Sequence, residues 1–443
     1  MGGDLDNNSL RKGKWMSSHS VTTKKSWFER LGNSFGGIIF GIVFFIVGTI
    51  LLWWNEGNFV KTQIALKEAQ SVVQELGDCN MVCSSLNGQL IHATGQATTE
   101  DVLEDPIFGI SKNAMRLERS AEYYQWVENS KSETRQKMGG GEETVITYSY
   151  KKDWVSDPVD SSRFISSNAT EANKNTVIAN IDDLSVRAEN VTFGAYQLPK
   201  FLSNSISSLE SLPVEFSDEA IAQLNKQFVP DASSTPLPTN TPAQGLLPFE
   251  DDTVNEGRNV ALATPLASQK VHLSNGTVYL GQSPTQPSIG DVRVTFKWTK
   301  PENTVSLIAK LNGSTFESYT AKNGKTVSML SMGTHSAENM FETAHSSNAM
   351  LTWIFRVVGI VVVCFGISMI LSPLSVLASV VPFLGKLVGI GTGVVSLFFG
   401  TAWSLMVIAL AWLFYRPWTG IVLLAVAVLL LMFLFTRKRP SLT

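Results

Sequence analysis

Histidine and cysteine are the side chains most able to bind a metal or attack a substrate, and the chain has only five and three of them. His335 and His345 stand ten residues apart in a polar stretch, and no third His or Cys lies near them in the sequence. The chain also contains no HExxH, GxSxG, Walker A or Rossmann pattern. We therefore predict histidines in loops or in solvent, no catalytic residue, no cofactor-binding residue and no metal site.

Two cysteines, Cys79 and Cys83, leave one further possibility open. They could form a disulfide in an oxidising compartment, or they could stay as two thiols, because an offset of four residues needs a favourable backbone geometry. The third, Cys364, lies in an apolar run. Three cysteines are too few for a disulfide scaffold, and the sequence does not decide between the two alternatives for this pair.

Acidic residues occur in pairs, which could serve general acid and base catalysis if they faced each other at a suitable distance. Glu104 and Asp105 form an acidic turn, as do Asp182 and Asp183, and neither pair is spaced as a catalytic dyad. The glycine-rich "KMGGGEE", residues 137–143, is not followed by the Lys and Ser or Thr of a phosphate-binding loop, so it predicts a flexible loop. The sequence therefore favours a protein that is not an enzyme.

Sequons offer a different chemistry, the attachment of sugar to the asparagine side chain. In the stretch between the first two predicted spans they begin at Asn168, Asn190, Asn275 and Asn312. In a chain so rich in Asn, Ser and Thr, such triplets also arise by chance. Both explanations stay open at the level of sequence.

Charge is distributed unevenly along the chain. Residues 56–350 hold 35 of the 38 acidic residues but only 23 of the 35 basic ones, which gives this stretch a net charge of −12. Residues 1–34 carry six Lys or Arg, and no acidic residue follows Glu342. Because affinity for nucleic acid depends largely on Lys and Arg, the pattern argues against a nucleic-acid partner. It fits a protein of the lipid bilayer with one large water-exposed domain.

Four apolar runs are predicted to be transmembrane helices, one N-terminal and three C-terminal. Residues 35–54 exceed the apolar part of a signal peptide and lack a cleavage site, so they form a retained anchor. The later helices are predicted at 351–371, 387–415 and 418–436. Arg356 lies in the first turns of the second helix, where its side chain can snorkel to the membrane surface.

Arg416 is the only charged residue between Lys386 and Arg437. A charge at the bilayer centre costs roughly 2.5–3.5 kcal/mol, a cost that an interfacial position largely avoids. Pro417 disfavours helical geometry in the residue before it and suits the first turn of a new helix. We therefore predict a tight interfacial hairpin at Arg416 and Pro417, which joins the third and fourth helices.

The positive-inside rule orients these helices. The basic N-terminus, Lys386 and the basic C-terminus share one side of the membrane if the chain crosses it four times. Both termini are then cytosolic, and the large domain is lumenal or periplasmic. The segments outside the helices are a basic cytosolic N-terminus (1–34), the domain (55–350), a cytosolic-side connection broken by two prolines (372–386) and a cytosolic tail (437–443).

The segment between the first two spans shows mainly the apolar–polar alternation of β-strands. In "DVRVTFKW", residues 291–298, apolar side chains occupy every second position. Asn312-Gly313 separates two strand-like runs and is a strong hairpin signal. Residues 229–252 contain five prolines and predict an extended insertion. The predicted fold class is an α+β membrane protein with a large, mainly antiparallel β extramembrane domain.

Glycines with GxxxG spacing occur in the apolar runs, at Gly37 and Gly41 and at Gly389 and Gly393. Such spacing favours close helix packing, either within one chain or between two chains. Glycine is also simply common in membrane helices. We predict helix packing at these four positions.

Several short stretches follow one another in a characteristic order: "WNEG" (54–57), "DPIFGI" (105–110), "YYQWVE" (123–128), "YSYKKDW" (148–154), "GDVRVTF" (290–296), "SAENMF" (336–341), "SNAMLTWIFR" (347–356) and "AWLFYRP" (411–417). With this ordered set the chain resembles the transmembrane protein 43 family, also called LUMA, from about Trp27 to Pro417. The Pro-rich insertion and the long N-terminus depart from the family pattern.

The resemblance implies a four-span protein of the endoplasmic reticulum and inner nuclear membrane. It also implies a homo-oligomeric, non-enzymatic scaffold for nuclear envelope organisation, with lamins and emerin as partners. The family includes bacterial members, for which the cytoplasmic membrane is the expected location. The alternative is a channel or transporter subunit, disfavoured because the spans offer only Ser and Thr along a pathway.

Overall fold

The computed structural model describes residues 18–165, 174–228, 270–274 and 276–416. Several predicted features lie outside these ranges. They are Pro417, the fourth helix (418–436), the Pro-rich insertion (229–252), the cytosolic tail (437–443) and the sequons at Asn168 and Asn275.

Five α-helices are present in the described ranges, and three of them are long and apolar enough to span a membrane. The helices are α1 (Trp27–Val72), α2 (Lys200–Ser203), α3 (Asp218–Phe228), α4 (Ala337–Ala378) and α5 (Pro382–Tyr415). The spanning candidates, α1, α4 and α5, confirm one predicted N-terminal span and two predicted C-terminal spans.

Nineteen strands and two 3₁₀ turns (Ser84–Leu86 and Ser161–Arg163) complete the described secondary structure. The strands are β1 (Ser18–Lys25), β2 (Gln74–Glu75), β3 (Leu90–Thr99), β4 (Val102–Asp105), β5 (Ile110–Asn113), β6 (Arg116–Gln136), β7 (Glu142–Val155), β8 (Leu184–Arg187), β9 (Val191–Phe193), β10 (Tyr196–Gln197), β11 (Glu210–Ser211), β12 (Lys270–Ser274), β13 (Thr277–Gly281), β14 (Val292–Thr299), β15 (Glu302–Asn312), β16 (Thr315–Glu317), β17 (Tyr319–Thr320), β18 (Thr326–Val327) and β19 (Met329–Met332).

The chain divides into two compact units. The first unit, with described residues 18–21, 96–132, 145–165, 174–228, 270–274 and 276–303, is built on a mainly antiparallel sheet. Its strand β14 pairs with β6, β11 and β13. Val292, Val294 and Phe296 are buried in its core, as the alternation in "DVRVTFKW" predicts. The predicted β-rich character of the domain is confirmed.

The second unit comprises residues 22–95, 133–144 and 304–416 and holds the three long helices. Strand β15 pairs with β16 and β19, and the turn at Asn312-Gly313 forms the predicted hairpin. The C-terminal part of α1 contributes Leu66 and Ala69 to a core that also contains Ile308 and Phe341. Helix α1 therefore continues without a break from the predicted first span (35–54) into this core.

Local sequence explains where the long helices begin. The hydroxyl of Ser26 accepts a hydrogen bond from the backbone N–H of Glu29, and Ser336 caps α4 in the same way through Asn339. The connection predicted over 372–386 is shorter in the structure, because α4 continues to Ala378 and α5 begins at Pro382, and its cytosolic side stays a prediction. Proline within a membrane helix is tolerated when neighbouring groups compensate for the missing N–H.

The loop between β6 and β7 lies against the first turn of α1, within the second unit. Arg30 forms an ion pair with Glu142 (Nε to Oε2, 2.9 Å) and donates from Nη1 to the Gly140 carbonyl at 2.5 Å. The indole N–H of Trp27 donates to the Val376 carbonyl at 2.9 Å. The Arg30 contacts join residues that are predicted on opposite sides of the membrane, whereas Trp27 and Val376 are both predicted on the cytosolic side.

Candidate functional site

A buried ion pair joins two of the long helices. Glu56, on α1, has no solvent-exposed surface, and Arg356, on α4, is 8% exposed. Arg356 donates from Nε to Oε1 of Glu56 at 2.5 Å and from Nη2 to Oε2 at 2.8 Å. Two parallel charge-assisted hydrogen bonds of this kind fix orientation as well as distance.

The third long helix joins the same site through an indole. Trp412, on α5, donates from Nε1 to Oε2 of Glu56 at 2.7 Å. The Arg356 guanidinium lies over the rings of Trp353 and Trp412, at 4.8 and 5.6 Å from their centroids. Such cation–π contacts add to the attraction when the cation is desolvated. Glu56, Arg356 and Trp412 thus form one cluster, here called the helix clamp, that holds α1, α4 and α5 together.

Neighbouring residues pack tightly around the helix clamp. Asn55 donates from its side-chain amide to the Thr352 carbonyl at 3.1 Å, which adds a second polar link between α1 and α4. A Cβ atom on Gly57 would lie 2.6 Å from the ring of Tyr415, so only glycine fits there without movement. The site therefore depends on residues 55–57 as a group.

The contacts of the helix clamp hold helices together. Both carboxylate oxygens of Glu56 accept hydrogen bonds from Arg356, and Oε2 also accepts one from Trp412. A charge left alone in such a site carries a desolvation cost of several kcal/mol, which only its partner offsets. Separating the helices would leave each charge without its partner, so the helix clamp holds the three helices together.

Arg356 is predicted to reach the membrane surface by snorkelling, and that position stays a prediction. Its guanidinium is buried against Glu56, which precedes it by 300 positions, a partner that was not predicted. One signal was present, because Glu56 is the first acidic residue after the apolar run 35–54. The stretches "WNEG", "SNAMLTWIFR" and "AWLFYRP" supply the residues of the helix clamp.

The predicted helix-packing glycines behave differently from one another. A Cβ on Gly41 would lie 2.7 Å from the carbonyl oxygen of Gly366, so α1 and α4 are in close contact there. Packing at Gly37 is looser, because the Ser372 hydroxyl oxygen would lie 3.7 Å from a Cβ atom on Gly37. For Gly389 the nearest atom is 4.0 Å away, and Gly393 has no described atom within 4 Å. Close packing within the chain is thus seen at Gly41 alone among the four.

Cys79 and Cys83 are both reduced in the structure. Partial burial raises the pKa of the Cys79 thiol. A hydrogen bond with the Ser85 hydroxyl, 3.2 Å away, lowers the pKa of the Cys83 thiol. Cys83 is therefore the more reactive thiol at neutral pH. A disulfide between the two remains a prediction for oxidising conditions.

Arg416 is the last residue of this region that the structure describes. Helix α5 ends at Tyr415, and the Arg416 backbone N–H closes its last turn on the Trp412 carbonyl. The Arg416 guanidinium lies over the ring of Phe59 at 5.0 Å. The helix end agrees with the predicted position, while the interfacial hairpin itself stays a prediction because Pro417 is outside the described residues.

His92 contradicts the expectation of histidines in loops or in solvent. Its ring is buried, with Nδ1 2.6 Å from Oε2 of Glu75 and Nε2 2.9 Å from the carbonyl oxygen of His335. Each ring nitrogen therefore faces an oxygen acceptor. These contacts link β2 and β3 to His335. This residue directly precedes Ser336, the N-cap of α4.

Asp291 is a buried carboxyl in the first unit, in the stretch "GDVRVTF". The Tyr279 hydroxyl and the Ser288 backbone N–H donate to its Oδ2, the latter at 2.7 Å. Its Oδ1 is buried without a hydrogen-bond partner and lies against Gly281. Burial raises the pKa of this carboxyl above its usual value. Because its hydrogen bonds join β13 to the segment before β14, we interpret Asp291 as a structural residue.

Within the described ranges, no group of three or more His, Cys, Asp or Glu side chains is arranged to hold a metal ion. The helix clamp is therefore the arrangement that best distinguishes this chain. Its residues come from three helices widely separated in sequence.

Comparison with known proteins gives a consistent result. Transmembrane protein 43 of Mus musculus is 27% identical over 406 residues, which cover 89% of both chains. The human protein of the same name is 26% identical over 427 residues and 94% of both chains. A transmembrane protein 43 homolog of Drosophila melanogaster is 25% identical over 424 residues, 92% of this chain and 94% of its own. No solved structure is significantly similar to the chain.

The sequence model for transmembrane protein 43 matches residues 123–417, more than half of the chain. The matched region includes Arg356 and Trp412, two of the three residues of the helix clamp. The alignments with the mouse, human and fly proteins extend over most of the chain. The chain belongs to the transmembrane protein 43 family.

Proposed function

We propose that the protein is a non-enzymatic multi-pass membrane scaffold that self-associates and organises membrane protein complexes. The helix clamp is the main support for this proposal. It fixes three membrane helices in one arrangement, because separating its buried charge pair would cost several kcal/mol of free energy. A rigid set of helices is what a platform for other membrane proteins needs. The outer face of α5, with Ile390 and Phe398 about two-thirds exposed, suits contact with lipid or with another helix.

For location and partners, the proposal follows the family. The relatives compared above are animal proteins, so we adopt the eukaryotic alternative, the endoplasmic reticulum and inner nuclear membrane. Lamins and emerin are the proposed partners at the nuclear envelope. Proximity labelling from the cytosolic C-terminus in cells tests both points, and a labelled set without nuclear-envelope proteins would refute them.

Self-association is tested by co-expressing two copies that carry different tags and purifying one of them in mild detergent. We expect the second copy to co-purify, and separately expressed copies mixed after solubilisation to exchange little. The test variant is G393L, on the open face of α5, and its matched control is G36L, at a position of α1 that has equally open surroundings. A scaffold that associates through α5 loses co-purification in G393L. Absence of co-purification in the unmodified chain would refute self-association.

A channel or transporter is the second candidate, because a charged pair inside a helix bundle can mark an ion pathway. Here the charges neutralise each other and are closed in by Trp412 and Trp353. Purified protein in liposomes is therefore expected to give no selective ion flux, and E56Q is expected to give none either. Robust selective flux that E56Q alters would replace the scaffold with a channel.

A further inference from the structure

We propose that Asn312 is a site of N-linked glycosylation, an inference that depends on the proposed lumenal position of the domain. Asn312-Gly313-Ser314 forms the turn between β15 and β16, and all three residues are exposed. Gly313 has a φ of +60°, which a glycine adopts without strain. The Gly313 N–H is held by the side-chain oxygen of Asn87 at 2.8 Å. The acceptor asparagine thus stands on a well-defined projecting turn.

The side chain of Asn312 is available to a large substituent. No hydrogen bond to its amide nitrogen is formed by the described residues, and the neighbouring Gly313 has no side-chain or backbone atom within 4 Å of a Cβ position. A glycan attached there extends into solvent and displaces no packed group. The fold therefore tolerates the modification at this turn.

Asn190 provides a contrast within the other unit. Its amide nitrogen donates to Oδ1 of Asp101 at 3.1 Å, and its backbone N–H donates to Oδ2 at 2.8 Å. These bonds hold the pKa of Asp101 below its usual value. A glycan on Asn190 would replace one of its two amide hydrogens and crowd a contact that the fold uses. Exposure alone does not separate the two asparagines, but this hydrogen bonding does.

The chemistry needs a lipid-pyrophosphate-linked oligosaccharide as donor and a membrane oligosaccharyltransferase as catalyst. The amide nitrogen of Asn312 forms a bond to the anomeric carbon of the sugar. The bond from that carbon to the pyrophosphate oxygen breaks, and the oxygen leaves with the electron pair. One proton is lost from the amide nitrogen. No oxidant or reductant takes part.

The test uses the full chain expressed in eukaryotic cells, with Asn168, Asn190 and Asn275 replaced by Gln so that Asn312 is the remaining sequon of the domain. We expect one endoglycosidase-sensitive shift in gel mobility. S314A in the same background should abolish it, since this change removes the acceptor pattern while keeping Asn312 and Gly313. A shift that persists in S314A, or no shift in the background chain, overturns the proposal. Restoring Asn190 should add no second shift.

An Asn-Gly-Thr acceptor inserted after residue 240 separates failure of this inference from failure of the topology. If the inserted acceptor is glycosylated and Asn312 is not, the domain is lumenal and the assignment of Asn312 is wrong. If neither is glycosylated, the lumenal position itself is wrong, and the proposal falls with it. Trypsin resistance of the second unit, compared between variants, shows that the substitutions leave the fold intact.

Discussion

Removing one side of the Glu56–Arg356 pair would leave the other charge in a site closed to water. We expect E56Q and R356M each to lower the free energy of unfolding by roughly 3–5 kcal/mol. The double variant should lose less than the sum of the two, because it leaves no unpaired charge. Thermal unfolding in detergent, followed by tryptophan fluorescence, measures the change.

R135Q is the matched control for this prediction. Arg135 lies 3.8 Å from Glu133, and both side chains are more than half exposed. A surface pair of this kind contributes about 0–1 kcal/mol. If E56Q is no more harmful than R135Q, the helix clamp does not stabilise the bundle.

Asp291 should make the stability of the first unit depend on pH. Because burial raises the folded-state pKa, the favourable contribution of the protonated carboxyl is present below the unfolded pKa of about 3.9. It is lost as pH rises through the folded-state pKa. D291N keeps the shape of the side chain without the charge. We therefore expect the thermal midpoint of D291N to increase relative to that of the unmodified chain as pH rises from 4 to 8.

A difference between the two midpoints that stays constant with pH would show that Asp291 is not the source of this dependence. D101N serves as a control of opposite sign. Hydrogen bonds from Asn190 and Glu189 lower the pKa of Asp101, so its contribution is present above the unfolded pKa and is lost as pH falls. When the scan is extended down to pH 2, D101N should gain stability relative to the unmodified chain as pH falls below about 3.9, whereas D291N gains as pH rises.

At the scale of residues, the sequence predicts what depends on neighbours along the chain and misses what depends on distant ones. The end of the apolar helix at Tyr415 follows from the charge and proline beside it. The partner of Arg356 does not, because no local pattern connects positions 300 apart. The burial of His92 between Glu75 and the His335 carbonyl was missed for the same reason.

Among the elements, the contact of α1 with α4 depends on Gly41. A methyl group there would lie 2.7 Å from the Gly366 oxygen and 2.9 Å from Cγ1 of Ile370. Overpacking of this kind costs roughly 1–3 kcal/mol, so G41A should lower the thermal midpoint. G393A has open space and should be neutral or stabilising by up to about 1 kcal/mol. Equal effects of the two changes would contradict the packing described for α1 and α4.

Strands and hairpins were predictable where burial is one-sided. The alternation of residues 291–298 identifies β14, and Asn312-Gly313 identifies the turn after β15. Helix interruption was less predictable. Pro373 suggested a break, but the helix continues through it, because packing within a bundle outweighs the loss of one hydrogen bond.

For the whole molecule, the predicted sidedness conflicts with the contact between Arg30 and Glu142. About 26 helical residues separate Arg30 from Glu56, which corresponds to about 39 Å, more than the hydrocarbon core. To reach Arg30, strands that carry Lys131 and Arg135 would have to cross the bilayer, at roughly 2.5–3.5 kcal/mol for each central charge. We expect the sidedness predicted from the charge distribution to hold in the membrane, and the contact between Arg30 and Glu142 to be absent there.

Sealed microsomes carrying M138C and an N-terminal tag decide the matter. Met138 is 81% exposed at the tip of the β6–β7 loop. We expect the tag to be digested by added protease, and the M138C thiol to resist an impermeant reagent until detergent is added. If the tag and the thiol are both accessible, or both protected, residues 22–30 and 133–144 share a side and the predicted topology is wrong.

The separation of Glu56 from Arg356 also sets a timetable for synthesis. Glu56 emerges from the ribosome 300 residues before Arg356. At ~5–20 residues per second, the interval is about 15–60 s. During that time α1 is in or near the membrane, and the carboxylate of Glu56 cannot yet pair with Arg356. The nascent chain is thus a client for any factor that shelters a polar group at the membrane surface, and slowed translation between the two helices should increase its degradation.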